Sequence, residues 1–175
     1  MKCNIGAEKE TDYGLFFQWG DIVGYTGGEA LVHSYWKTCP GNGGNTSANT
    51  ESLTNWNSTN LTDGVLNTNV DAVYAHTGGR AKMPTTEQLA ELKTYTNNEW
   101  TTINNIVGWK FTSKTDATKY IFIPAAGHFC DGKQLGENTD GCIWSNTLYT
   151  SGVNLTYYLY FTAISSSCRS GNRGR

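Results

Sequence analysis

The chain lacks most of the features that assign a protein quickly. It has no run of about 18 apolar residues, so no membrane-spanning helix and no membrane insertion is expected. No signal-peptide pattern follows Met1, which on a plain reading gives a cytoplasmic protein. The alternative is an excised domain of a longer exported or virion-borne protein. Charged residues make up only 16% and net charge is −2, which gives no electrostatic reason to expect nucleic acid or an anionic membrane as partner. Proline is scarce, at three residues, and no CxxC pair occurs among the five cysteines, so a metal or redox site has little support. A Cys130–Cys142 disulfide is compatible with the spacing but not implied by it. GxSxG, HExxH and a Gly-rich phosphate loop are all missing, and no cofactor is expected.

What is present is glycine (20 residues), abundant Asn and Thr, and aromatics at 13%. Over 175 residues this describes one domain of strands joined by turns and long loops, with few helices. The clearest helix is expected over about residues 86–95. Thr85 stands as its N-cap with Gln88 three positions on, Glu87 lies in its first turn, and Leu89 and Leu92 form the inward stripe. A shorter helix is expected in "EALVHSYWK", where Leu31 and Tyr35 lie four apart. "EWTTINNIVGWKFTS" predicts two strands turning at Asn104-Asn105, and "KYIFIPAAG" a third, stopped by Pro124. From Pro40 to about Asn69 the chain reads as a polar, loop-rich insertion anchored by Leu53, Trp56, Leu61, Val65 and Leu66. Sequons at Asn45, Asn57, Asn60 and Asn154 matter only in a glycosylating host. The plan is α+β.

Near the C-terminus, alternation in "YLYFT" sends Leu159 and Phe161 to one face and Tyr158, Tyr160 and Thr162 to the other. The first is a core face. The second carries the side chain that binding surfaces favour, and Tyr149 adds to it. The competing reading is that Tyr158 and Tyr160 pack under the loops as a second small core. His33, His76 and His128 lie far apart in sequence and read as ordinary histidines. Asp131, Glu137 and Asp140 offer oxygen ligands for calcium but lack any loop spacing for it, and two Asp-Gly turns explain them more simply. Glu87 and Glu91, four apart on a helix, read as a solvated face.

Four blocks in order carry a resemblance: "DYGLFFQWGD", "GGRAKMPTTEQLAEL", "IFIPAAG", and "IWSNTLY" followed by "YYLYF". Together they resemble the Fibrobacter-succinogenes-type major paralogous domain and the C-type-lectin-fold variable proteins of diversity-generating retroelements. The likeness runs from about Asn4 to Phe161. It implies a C-type lectin-like fold without a calcium requirement, with a variable binding region over 128–175. Scaffold positions carried over are Trp144, Ser145, Thr147, Tyr157, Leu159 and Phe161. Exchangeable, ligand-facing positions are His128, Phe129, Cys130, Gln134, Cys142, Asn146, Tyr149, Tyr158, Tyr160 and Thr162, with Ile164 and Cys168 beyond them.

The family usually closes with a Gly-x-Ser-Val-Arg strand. This chain stops at "RSGNRGR", which leaves the last strand and the register after Phe161 open.

The resemblance therefore implies a receptor- or adhesin-type domain rather than an enzyme, at a phage tail tip or bacterial surface. Its ligand would be a cell-surface protein or glycan. A homo-oligomer and a place within a longer surface or virion protein are both compatible with it. Three readings compete: a fixed carbohydrate-binding module, an enzyme of the formylglycine-generating type, and a purely structural fibre cap. The spacing of Cys130 and Cys142 does not match the cysteine pair of the enzyme.

Overall fold

The computed structural model describes residues 3–32, 61–130, 133–149 and 155–172. The polar stretch through residue 60, with Leu53 and Trp56, lies outside the described residues, as do Asp131 and the part of the expected first helix beyond Val32. The described elements, in order, are α1 (Gly27–Val32), β1 (Leu61–Thr62), β2 (Val65–Leu66), a 3-10 turn (Thr68–Val70), α2 (Ala72–His76) and α3 (Thr86–Tyr95). There follow β3 (Thr96–Ile103), β4 (Ile106–Ser113), β5 (Tyr120–Pro124), β6 (His128–Cys130), β7 (Lys133–Leu135), β8 (Asp140–Leu148), β9 (Leu155–Thr162) and β10 (Ser165–Asn172). Few helices and largely antiparallel sheets make this a mixed α/β chain. Among the described residues no helix is long and apolar enough to cross a membrane.

Local chemistry explains the local elements. Thr85 Oγ1 accepts from Gln88 N at 3.2 Å while the Gln88 side chain accepts from Thr85 N at 3.0 Å, a reciprocal capping box that starts α3. Leu89 is the buried anchor of that helix. Asn104 and Asn105 both take positive φ (48° and 65°), the backbone a two-residue hairpin loop needs, so β3 and β4 pair from Ile103–Ile106 outward. β5 ends on Pro124, which has no N–H to donate, and one more backbone bond, Ala125 N to Val107 O at 2.9 Å, closes its pairing with β4. Asp71, fully buried, caps α2 by accepting from Tyr74 N at 2.9 Å and also accepts from Met83 N, at 3.0 Å to one oxygen and 3.2 Å to the other.

One place departs from the sequence expectation. Leu61 to Leu66, assigned above to the polar insertion, form a hairpin turning at Asp63-Gly64, and β2 joins the main sheet beside β8. The register after Phe161, left open by the sequence, is that of a further strand: β10 pairs antiparallel with β9 along its whole length, from Thr162–Ser165 to Leu155–Asn172.

The main sheet runs β10-β9-β8-β2-β1, a second sheet runs β3-β4-β5, and β6-β7 form a separate ribbon. The inner face of β9 carries Leu159 and Phe161, both with no exposed surface, into a core with Leu89, Trp109, Phe111, Ile123 and Ala125. A second core gathers Trp19, Leu66, Val70, Ala72 and Met83, against which Phe17, Trp144 and Leu148 pack.

Between the two cores β8 bulges. Thr156 pairs with Leu148 but Tyr158 pairs with Trp144, so extra β8 residues loop out around Ser145–Thr147. The bulge exposes backbone groups that must find partners. Trp19 Nε1 donates to Ser145 O at 2.6 Å, and Asn146 N and Nδ2 donate to Pro84 O (2.8 Å) and Met83 O (3.1 Å). Thr156 Oγ1 donates to Thr147 O at 2.8 Å. Small polar residues in "SNT" thus give several of the freed groups partners as β8 leaves its ladder, and they tie it to both the N-terminal segment and the start of α3.

Candidate binding face and cavity

Register assembles the site. On the face of the main sheet opposite Leu159 and Phe161, Asp140, Cys142 and Trp144 of β8 stand beside Thr162, Tyr160 and Tyr158 of β9. Ser167 and Arg169 of β10 complete the row, opposite Tyr160 and Tyr158. The N-terminal segment crosses one end of this face, and Trp144 Nε1 donates to Phe17 O at 3.0 Å. The face therefore has a covered half and an open half.

Under the cover, Tyr158 is 4% exposed, with its ring edge-to-face on Trp144 at 5.5 Å. A cavity of about 230 Å³ lies here, with Ile5, Leu15, Phe17, Met83, Trp144 and Tyr158 among its walls. Gln18 also lines it and is 2% exposed, and neither its amide oxygen nor its amide nitrogen has a hydrogen-bond partner in the structure.

On the open half, Tyr160 is half-buried. The Arg169 guanidinium lies 4.2 Å from its ring centre, and Arg169 Nε donates to Ser167 Oγ at 2.8 Å. Tyr160 Oη donates to Asp140 Oδ2 at 3.4 Å, and His128 Nδ1 lies 3.2 Å from Asp140 Oδ1. Burial first, then the Asp140 and Cys142 charges, hold the Tyr160 phenol above its ordinary value, against the opposing Arg169 guanidinium. Gly136 makes room for Asp140. It sits at φ +74°, and a Cβ there would come within 2.1 Å of the Asp140 carboxylate.

His128, Asp140 and Cys142 bring donor atoms within 4.8 Å of one another, the group among the described residues able to hold a metal ion. Tetrahedral zinc spaces N, O and S donors roughly 3.3–3.6 Å apart, from bond lengths near 2.0–2.3 Å. The His128–Asp140 pair, at 3.2 Å, lies close to that separation, and Cys142 Sγ stands within 4.8 Å of both. Glu137 is not part of the group.

The burial pattern corrects several expectations. Tyr158 does not face water, because the N-terminal segment covers it. Phe129 is 1% exposed, since its ring packs edge-to-face on Phe16 at 4.8 Å in a small core of its own. Asn146 is 4% exposed and serves the β8 bulge. Cys168 points inward, against the core of Leu159 and Phe161. Cys142 is a thiol, so no Cys130–Cys142 bridge forms; the Cys130 side chain lies outside the described residues.

The remaining predicted positions are spread out. His128 and Cys142 border the cavity. Gln134 Nε2 donates to Ala126 O at 3.0 Å in the neighbouring ribbon. Tyr149 packs edge-to-face on Tyr157 at 5.3 Å, away from Tyr160's row. Thr162 is half-buried at the β9–β10 turn, where Ile164 is 94% exposed. Of the scaffold set, Ser145, Leu159 and Phe161 have no exposed surface, and Trp144 and Thr147 are half-buried.

No family model, curated protein or solved structure matches this chain. The site must be read from its own chemistry. Sequence reasoning missed Gln18, Arg169 and the meeting of His128 with Asp140. A signal for the first existed: a lone amide inside "LFFQWG", an otherwise apolar run.

Proposed function

We propose that this chain is a ligand-binding domain of C-type-lectin-like fold that recognises a cell-surface protein or glycan through the open half of its C-terminal sheet face. The observation that carries this reading is the row Arg169–Tyr160–Asp140–His128, in which a cation lies over an aromatic ring and a carboxylate accepts at that ring's hydroxyl. Tyr and Arg are the side chains that most often anchor interfaces, because each offers large contact area and directed hydrogen bonds at modest entropy cost. Here they stand on adjacent strands of a ladder, so little ordering is needed on binding. The four-block resemblance supports an extracellular-facing site, on a phage tail tip or bacterial surface, and a face open to diversification.

The test is binding of the labelled domain to bacterial cells, untreated, protease-treated or periodate-treated. Tyr160→Ala and Arg169→Ala are each expected to weaken binding at least about tenfold, on the order of 1–3 kcal/mol, with the fold intact. Loss of binding after protease identifies a protein ligand, and loss after periodate a glycan. Binding that both variants leave unchanged sinks the assignment of this face.

One observation favours a second reading. A thiol, an imidazole and a carboxylate within 4.8 Å are the components of a cysteine nucleophile site. That reading requires Cys142 to be alkylated fast below pH 7, with a rate that collapses in His128→Ala.

A further inference from the structure

The surface reading uses Asp140 and His128 but gives Cys142 no part. We propose that His128, Asp140 and Cys142 form a site for one divalent ion of the zinc class, bound through imidazole nitrogen, carboxylate oxygen and thiolate sulfur.

The backbone brings the three together. Gly127 and Gly141 form a parallel bridge, and Gly127 N donates to Asp140 O at 2.8 Å. His128 follows the first glycine, while Asp140 and Cys142 flank the second and, two apart on one strand, share its face. A Cβ on Gly141 would come within 2.2 Å of the Phe161 ring, so this part of β8 lies tight against a core residue with no exposed surface. The donors stand on strand positions already paired, and little ordering is left to impose on binding.

Distance and charge select the ion. The donor atoms all lie within 4.8 Å of one another. Around tetrahedral zinc they would stand roughly 3.3–3.6 Å apart, so closing the widest gap asks at most about 1.5 Å of a side chain. The His128 and Asp140 side chains keep only 19% and 12% of their surface in water. In such a place a neutral imidazole, a carboxylate and a thiolate leave two negative charges, which one divalent ion cancels. Calcium and magnesium demand oxygen ligands, whereas a thiolate beside an imidazole suits zinc and its neighbours in the first transition row. Tyr160 Oη donates to Asp140 Oδ2 at 3.4 Å, the kind of outer hydrogen bond that steadies a ligating carboxylate. Three protein donors leave the fourth position to water or to a donor atom of an incoming molecule. Position 142 is one the resemblance makes exchangeable, so the ion belongs to this copy of the domain and not to its scaffold. The competing account is a hydrogen-bonded His128–Asp140 pair alone, in which Cys142 takes no part.

Co²⁺ and Zn²⁺ are the probes, added to the reduced, metal-free chain, with Ca²⁺ and Mg²⁺ as controls. Cobalt is expected to give a thiolate-to-metal charge-transfer band and the strong visible bands of a tetrahedral ion, saturating at one ion per chain. Zinc should displace it with a Kd at or below about 1 µM. Cys142→Ser should abolish the charge-transfer band. His128→Ala should weaken zinc at least about a hundredfold, the upper end of what losing a mere outer partner costs. Cys3→Ser, which changes another thiol on the cavity wall, should leave the band in place. In the unsubstituted protein zinc, but not calcium, should protect Cys142 from iodoacetamide, read by peptide mass mapping, which decides the matter even if a variant fails to fold. Absence of the charge-transfer band, its survival in Cys142→Ser, or a Cys142 alkylated equally fast with and without zinc would each overturn the proposal. None of these outcomes bears on the binding test at Tyr160 and Arg169, so the two readings fail separately.

Discussion

Truncating Tyr158 and Tyr160 separately distinguishes a side chain that is covered from one that is offered. Strand alternation puts both on one face, yet their surroundings differ. Tyr158 is 4% exposed and loses almost all its contacts on mutation to alanine. Large aromatic truncations in cores cost about 3–5 kcal/mol. One side of this ring borders the cavity and already forgoes neighbours, so the lower part of that range, about 3–4 kcal/mol, applies. Tyr160→Ala gives up a half-exposed ring under Arg169, worth about 0.5–1 kcal/mol, and one long hydrogen bond, so about 1 kcal/mol is expected. For a 175-residue chain, at about 2–4 °C per kcal/mol, this means Tm falls of roughly 10 °C and 3 °C. Urea unfolding followed by tryptophan fluorescence reads both. Ligand binding should show the opposite order, with Tyr160→Ala the more damaging. Stability losses within about 1 kcal/mol of each other would refute the claim that the N-terminal segment covers only half the face.

Four further outcomes are expected. Asn146→Ala should cost about 1–3 kcal/mol by leaving the Met83 carbonyl without its Nδ2 donor, and urea midpoints check it; a neutral result would return position 146 to the exchangeable set. Asp71→Ala should cost about 2–4 kcal/mol, combining a lost N-cap with an orphaned Met83 N–H, again by urea unfolding. Tyr13 and Tyr160 have phenols held above their ordinary value of about 10, burial being the first cause of each. Their folded pKa exceeds the unfolded one, so the associated stability is full below about pH 10 and disappears as pH rises through the folded values. Tyrosinate absorbance should therefore lag behind that of the urea-unfolded chain. Burial likewise raises the Cys168 thiol, against the pull of Lys93, so at pH 8 it should alkylate more slowly in the folded protein than in urea.

What the sequence made legible was local. Thr85 and Gln88 lie three residues apart and fix where α3 begins; Asn104-Asn105 fixes a hairpin by backbone preference alone. The β1–β2 hairpin escaped notice because its strands are two residues long, too short for alternation to register, and only Asp63-Gly64 marked it. Cover is the property that local reading cannot supply. Trp19 reaches Ser145 and Trp144 reaches Phe17 across more than 120 residues of chain, and those two indole bonds decide which half of the tyrosine face stays open. Alternation assigned the faces of β9 correctly and was silent on what lay over them.

That division bears directly on which positions such a domain can rewrite. Exchange is tolerated where a side chain contributes little to packing or to backbone hydrogen bonding. Tyr160, half-buried on the open half, meets that condition, whereas Tyr158, Asn146 and Phe129 do not. Cys142 lies at the boundary, where it borders the cavity while standing opposite Tyr160. Sequencing the segment for residues 128–175 across a source population therefore has a structural prediction attached. Substitutions should gather at 142 and 160 and at solvent-facing β10 positions such as Arg169, and should avoid 129, 146 and 158. Variation at Tyr158 equal to that at Tyr160 would mean that the cover is not part of the working fold. A uniform population would sink the diversification reading and leave the tyrosine face as either a fixed binding site or plain packing.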